Sequence, residues 1–191
     1  MTAKRDARIV SSEVVFQGWY TFSRLMVEMP DGQVVDRELL HRGMACAVLP
    51  YDRERRVAML ITQPRPGALY HGVPSPYEAI AGSLDGADPA IRIVAEAMEE
   101  GGLRLGALEP VTNMWSMIPV STERVQLYLA EYRADDVVGS GGGLAAEHED
   151  ITVHEIGLNG LRELALSGQL MDAKTLILAQ ALLLRHPELW G

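Results

Sequence analysis

Over residues 9–61 the apolar positions come in short runs, VVF, YTF, RLMVEM, QVV, MACAVL and VAMLIT, rich in β-branched and aromatic residues and separated by turn residues. That pattern predicts strands. Asp31-Gly32 lies between two of the runs and predicts a hairpin, because Gly accepts positive φ without a Cβ penalty. A second turn at Tyr51-Asp52-Arg53 makes the first third antiparallel β. Residues 64–76 hold four of the ten prolines and two glycines, which predicts an irregular surface loop. Strand-like sequence resumes at Tyr77-Glu78-Ala79-Ile80.

The first helical signal opens at Asp88-Pro89, with Asp as cap and Pro in the first turn, and closes at Gly101-Gly102. Within it Ile91, Val94, Ala95 and Met98 share one stripe, which predicts the core-facing side. Strands are expected near residues 111–115 and 124–132. Four glycines in 139–143 predict a flexible loop running into the acidic stretch Glu147-His148-Glu149-Asp150. A strand at 151–156 and helices at 158–166 and 173–184 complete the chain. Strands first, one helix embedded among them and two helices last predict an α+β or mixed-sheet domain.

Composition narrows the function classes. The 191 residues carry 17 Lys+Arg against 26 Asp+Glu, a formal charge of -9, with 48% apolar residues. This suits one globular domain with, at most, a small appended subdomain. The acidic balance argues against non-specific nucleic-acid or anionic-membrane binding, since both require a basic surface. Cys46 is the only cysteine, so no internal disulfide or cysteine-rich zinc site is available, which fits a reducing cytoplasm. No apolar run approaches the roughly 18 residues of a membrane span, and the basic start MTAKRDARIVSSEVV lacks an apolar continuation. The expectation is a soluble cytoplasmic protein.

The sharpest chemical feature is Glu96, Glu99 and Glu100. Spacings of three and four gather them on one helical face, which the pattern sets opposite the Ile91/Val94/Met98 stripe, with no Lys or Arg expected one turn away to relieve the repulsion. A solvated acidic face is one reading of such a cluster. The other follows from its setting on a strand, turn and helix through Gly82-Ser83-Leu84-Asp85-Gly86: clustered carboxylates and a backbone carbonyl suit a hard divalent cation.

Residues 82–103, GSLDGADPAIRIVAEAMEEGGL, resemble the box of the Nudix hydrolase family, G-x5-E-x7-R-E-U-x-E-E-x-G-U with U apolar. Gly82, the E-x-x-E-E cluster and Gly102-Leu103 are retained. Asp88 stands where the first Glu is expected, one residue is missing before Glu96, and Ala95 replaces the arginine. Beyond the box the chain is similar to the subgroup that cleaves ADP-ribose and related nucleoside diphosphate sugars, GDP-mannose included. Arg42-Gly43-Met44-Ala45 and Val48-Leu49-Pro50-Tyr51-Asp52 resemble the first strand of its second domain. Gln63-Pro64-Arg65 resembles its Q-x-R, Glu78-Ala79-Ile80-Ala81-Gly82 its E-x-x-A-G, and Glu147-His148-Glu149-Asp150-Ile151 its E-x-E-D-I loop. Asp172-Ala173-Lys174-Thr175 matches the start of its last helix, and Met117-Ile118-Pro119 replaces its Ser-Pro-Gly turn, with Thr122-Glu123 kept in register.

The resemblance implies roles. Glu96, Glu99, Glu100 and the Ala81 carbonyl would hold Mg²⁺, with Mn²⁺ as substitute, and Glu149 would add a carboxylate. Glu147 would be the general base, with Glu100 beside it in the catalytic set, although an acidic loop after glycines is also a common solvated feature. Arg65 would clamp phosphate, or make a surface salt bridge. Trp19 and Arg37 align with positions that sandwich a purine across a domain-swapped dimer, while a partly buried Trp in a sheet is the plainer reading. Glu38, Glu78 and Glu123 would line the substrate cleft. His148, alone among carboxylates, is not read as a ligand. Clustered carboxylates should titrate high without metal and low with it, so activity should fall in acid.

The fold this implies is α+β, a Nudix αβα sandwich with a mixed β-sheet over 43–191, preceded by a small antiparallel β-subdomain over 1–42 that serves dimerisation and the substrate pocket. The implied activity is Mg²⁺-dependent hydrolysis of a nucleoside diphosphate sugar, ADP-ribose first and GDP-mannose second, by a homodimer. The alternative is a catalytically weakened nucleotide-binding or regulatory protein on the same fold, suggested by Ala95, Asp88 and the altered turn.

Overall fold

The computed structural model describes residues 6–144, 146 and 149–190. The chain divides into two compact units, Met1–Met44 with Trp115–Arg124, and Ala45–Met114 with Val125–Gly191. In the first unit the strand runs become β1 (Arg8–Gln17), β2 (Thr21–Glu28) and β3 (Val34–His41), an antiparallel sheet in the order β1-β2-β3. Every residue of β1 is exposed.

The second unit holds β4 (Met44–Asp52), β5 (Val57–Thr62), α1 (Pro66–His71), β6 (Ile80–Ser83) and α2 (Pro89–Gly101). These are followed by β7 (Leu108–Trp115), β8 (Arg124–Glu131), β9 (Thr152–Gly157), α3 (Leu158–Leu166) and α4 (Ala173–Arg185). Its sheet runs β7-β8-β4-β5-β9, with β6 paired to β4. Strand β4 splays: Tyr51 and Asp52 pair with β5, whereas Ala45, Cys46, Ala47 and Val48 pair with β6. The splay gives β6 a partner and starts the turn into α2 from a fixed strand.

Alternation along the central strands sorts two apolar cores, one on each face of the sheet. Ala47, Leu49, Ala58, Leu60, Leu127 and Leu129 pack with Leu158, Leu161, Leu178 and Leu182 of the two last helices. Cys46, Val48, Met59, Ile61, Tyr128 and Ala130 pack with Ile93 and Ala97 of α2. A sheet with one helix on one face and two on the other is the expected αβα arrangement. Both faces of β4 are covered, which is why it reads as a continuous apolar run rather than an alternating one. No helix of the described residues is long and apolar enough to cross a membrane.

Three local expectations are corrected. The proline-rich segment is not wholly irregular: Pro66 at the first turn nucleates α1, which Gly72 ends in a left-handed conformation. Strand pairing before α2 begins at Ile80, with Glu78 making only an isolated bridge to Ile61. Most consequentially, the predicted apolar stripe of α2 faces outward. Ile91, Val94 and Met98 are exposed, while Ile93, Glu96, Ala97, Glu100 and Gly101 are buried. Both sets have helical spacing, so periodicity alone does not choose between them, and the hydrophobicity rule favoured the wrong one. The buried face includes two carboxylates, Glu96 and Glu100.

Candidate functional site

The turn between β6 and α2 is built to aim the helix. Asp88 caps it by accepting from the N–H groups of Ala90 (2.9 Å) and Ile91 (3.3 Å), so its carboxylate is engaged with the helix start. At the other end Gly102 adopts the left-handed conformation that closes the helix. Glu96 and Glu100, one turn apart, point toward β6, where the Ala81 N–H donates to Oε2 of Glu100 at 3.2 Å.

Burial pushes the Glu96 carboxyl up to about 7, opposed by Arg92 and reinforced by Glu99 and Glu149. Glu100 is pushed up to about 8, first by burial, against the Ala81 N–H, and further by repulsion from Glu96 and Glu149. Ionising both in this setting requires added positive charge.

Glu149 belongs to the same field of carboxylates. Its Oε2 accepts from the Leu144 N–H at 3.0 Å. The glycine segment before it caps the end of α2, with the N–H groups of Gly142 and Gly143 donating to the carbonyls of Glu100 (2.9 Å) and Glu99 (3.1 Å). Glu96, Glu99, Glu100, Glu149 and Ala81 are thus brought together. Glu147 and His148 lie outside the described residues.

One cation serves the cluster directly. Arg92 places Nη2 at 2.5 Å from Glu96 Oε1 and 3.6 Å from Glu99 Oε2, correcting the expectation that none stands a turn away. Among the described residues no three His, Cys, Asp or Glu side chains stand as a set that could hold a metal ion. Three of the carboxylates are instead turned to their own donors, Glu96 to Arg92, Glu100 to Ala81 and Glu149 to Leu144. The donor chemistry nevertheless fits a divalent ion: hard oxygens, two of them on buried side chains, opposed by the guanidinium groups of Arg92 at Glu96 and, less directly, of Arg65 at Glu100.

Beside this cluster Glu78, buried, receives Arg65 through Nε and Nη2 (2.7 and 2.9 Å) and Lys174 through Nζ (2.7 Å). Lys174 also meets Asp172 at 3.0 Å, the residue that caps α4. Thr175 Oγ1 accepts from the Ala79 N–H at 2.6 Å. The start of α4 is therefore tied to the segment leading into β6. Both oxygens of Glu78 accept from these cations, which fixes the orientation of Arg65.

The remaining candidates belong to the first unit. Trp19 is exposed and carries the guanidinium of Arg42, not of Arg37, at 4.4 Å from its ring centroid. Arg37 and Glu38 line a cavity of about 600 Å³ with Arg24, Asp36 and Phe22. The Glu123 N–H donates to Ser121 Oγ at 3.1 Å. Arg92 and Lys174 received no role from the sequence. Arg92 was findable from its spacing of four to Glu96. Lys174 lay within the quoted Asp172–Thr175 match, but its pairing across 96 positions with Glu78 had no local signal.

No family model matches the chain. Proteins named GDP-mannose pyrophosphatase match it almost end to end. That of Cronobacter sakazakii is 33% identical over 186 residues, 94% of this chain and 96% of the relative. That of Salmonella arizonae is 28% identical over 188 residues, 95% of this chain and 97% of the relative. The crystal structure of an ADP compounds hydrolase shares the fold, with a TM-score of 0.74 and 16% identity over 97% of this chain and 98% of that one.

Proposed function

The chain belongs to the Nudix hydrolases, in the group that splits nucleoside diphosphate sugars at the pyrophosphate, and from that premise we propose GDP-mannose as its substrate, with ADP-ribose second. This order reverses the one expected from sequence motifs. It is carried by the relatives named for GDP-mannose, whose similarity spans nearly the whole chain. The products would be a nucleoside monophosphate and a sugar phosphate.

The cofactor in this reading is Mg²⁺, with Mn²⁺ as substitute, held by Glu96, Glu99, Glu100, Glu149 and the Ala81 carbonyl. A divalent ion there supplies positive charge to the phosphate oxygens and acidifies the attacking water. Glu147 takes the proton of that water. Arg65, held in a fixed orientation by Glu78 through Nε and Nη2, meets phosphate through Nη1. The cavity beside Arg37 and Glu38 receives part of the substrate, and Trp19 stacks on the base. Glu123 is the further residue assigned to substrate contact in this reading.

The protein acts as a cytoplasmic homodimer with an exchanged N-terminal subdomain. Support comes from β1, which exposes Ile9 (61%), Val14 (56%) and Phe16 (62%) on a strand with no buried residue. An apolar edge of that kind is a template for pairing with another chain.

The test is a product assay with GDP-mannose, ADP-ribose, NADH and diadenosine substrates, each with Mg²⁺ and with Mn²⁺. GMP and mannose 1-phosphate are expected first and fastest. AMP and ribose 5-phosphate alone would return ADP-ribose to first place. Tight binding without any product would establish instead the catalytically weakened protein, the reading favoured by Ala95 and by Asp88, whose side chain is given to the helix cap.

A further inference from the structure

Arg92 is the one residue of α2 whose charge opposes the glutamates. Its backbone N–H bonds to the Asp88 carbonyl at 2.9 Å, so it sits in the first turn, and its side chain runs toward the C-terminus to meet Glu96. Positions 96 and 99 lie four and seven residues on, along the same ridge. The guanidinium reaches Glu96 Oε1 at 2.5 Å and stands 3.6 Å from Glu99 Oε2.

The same Glu96 oxygen is bounded on its other side by the backbone of β6, since a Cβ placed on Gly82 would lie 1.5 Å from it. Backbone on one side and a planar cation on the other leave the carboxylate little freedom of rotation. The contact uses one oxygen of Glu96, and a carboxylate has a second.

Resting on the reading of Glu96 as a metal ligand, we infer that Arg92 is a positioning residue: it fixes the Glu96 carboxylate against Gly82 so that a divalent ion meets a ligand already oriented. It does from one turn back what Ala95, beside Glu96, has no side chain to do. A cation next to ligands also repels an incoming dication. The Arg92 side chain is 30% exposed and that of Glu96 only 7%, so water screens the repulsion while the orientation of the buried carboxylate is felt in full.

The experiment is Mn²⁺ binding to the full chain, followed by calorimetry and by the electron paramagnetic resonance of free Mn²⁺, for wild type, Arg92→Ala and Arg92→Lys. Thermal unfolding without metal reports whether each variant is folded. Arg92→Ala should bind Mn²⁺ about tenfold more weakly, the usual effect of removing a group that orients a metal ligand. Arg92→Lys, which keeps the charge but loses the planar fork, should bind more tightly than Arg92→Ala yet measurably more weakly than wild type, by about threefold. The lysine variant also keeps the test decisive if the alanine variant does not fold, because Mn²⁺ affinity equal to wild type in Arg92→Lys together with unfolding of Arg92→Ala would make the contact purely structural and overturn the inference. Tighter or equal Mn²⁺ binding by a folded Arg92→Ala would overturn it as well, because the arginine would then be only a competing cation. If wild type binds no Mn²⁺, the metal reading itself fails and this inference with it, an outcome distinguishable from a wild type that binds and a variant that binds as well.

Discussion

Gly82 and Glu96 share one space: a Cβ on Gly82 would fall 1.5 Å from Oε1 and 2.1 Å from Cδ of Glu96. The first glycine of the box is therefore not a turn residue. It is the missing side chain that lets a glutamate of α2 lie flat on strand β6, next to the Ala81 N–H that engages Glu100.

Gly82→Ala should consequently act on the site more than on the fold. The Glu96 side chain can rotate away, but only by leaving its buried place and the Arg92 contact. Turnover should drop by about 10- to 100-fold, the range for disturbed support of a metal ligand. Circular dichroism should stay unchanged, and steady-state kinetics over a Mg²⁺ series would show the loss chiefly as a higher Mg²⁺ requirement.

The raised carboxylates predict a pH signature with a definite sign. Burial holds Glu96 at about 7 and Glu100 at about 8, above the ordinary 4.5. A folded-state value above the unfolded one stabilises the fold fully below the unfolded value, and that contribution is lost as pH rises through the folded values. Between about pH 4.5 and pH 8 the metal-free melting temperature should therefore fall, and above about pH 9 this contribution should level off. Mg²⁺ requires the ionised forms, so its stabilising effect and the turnover rate should both grow as pH rises through the folded values, up to about pH 9. Scanning fluorimetry with and without Mg²⁺ checks this, and Glu100→Gln should flatten the upper part. Parallel curves at all pH values would remove these two carboxylates from the metal site.

What the sequence made legible divides along physical lines. Strands β1, β3, β4 and β5, the cap at Asp88 and the two last helices announce themselves through local spacing and turn chemistry and appear where expected, whereas the YTF and RLMVEM runs, read as separate, join in the one strand β2. The orientation of α2 does not, because Ile91/Val94/Met98 and Ile93/Ala97 are equally periodic and only the sheet beneath decides between them. Within the site, the E-x-x-E-E cluster and Arg65 were readable as motifs. Their partners were less so: Arg65 meets Glu78 and Lys174 meets Glu78 only after distant segments come together.

That junction carries its own prediction. Burial raises the Glu78 carboxyl, but Arg65 and Lys174 more than offset it and hold it below the ordinary range. Its stabilising effect is present above the unfolded value and is lost as pH falls through the folded one. Glu78→Ala would leave both cations without their anion. Because the Arg65 side chain is 42% exposed, the loss should lie at the low end for a broken buried pair, about 3 kcal/mol in urea unfolding. The freed Arg65 should also raise KM for the nucleotide sugar.

The glycine segment before Glu149 joins the end of α2 to the carboxylate proposed as a metal ligand, and Gly141→Ala tests the link. Gly141 has φ +63, and a Cβ there would lie 2.1 Å from the Glu100 carbonyl oxygen. That obstacle is backbone, so no side-chain rotation relieves it, and the segment has to move off the end of α2. The hydrogen bonds from Gly142 and Gly143 to the Glu100 and Glu99 carbonyls would weaken, and Glu149, held through the Leu144 N–H, would move with the segment. A stability loss of about 1–2 kcal/mol is expected from the left-handed backbone alone. The informative quantity is the Mg²⁺ concentration for half-maximal turnover, which should rise about tenfold. If the segment acts by placing Glu149, then Gly141→Ala combined with Glu149→Gln should need no more Mg²⁺ than Glu149→Gln alone, since two changes along one link do not add. Additive effects, or a lower melting temperature with unchanged Mg²⁺ dependence, would mean that the glycines only close the helix.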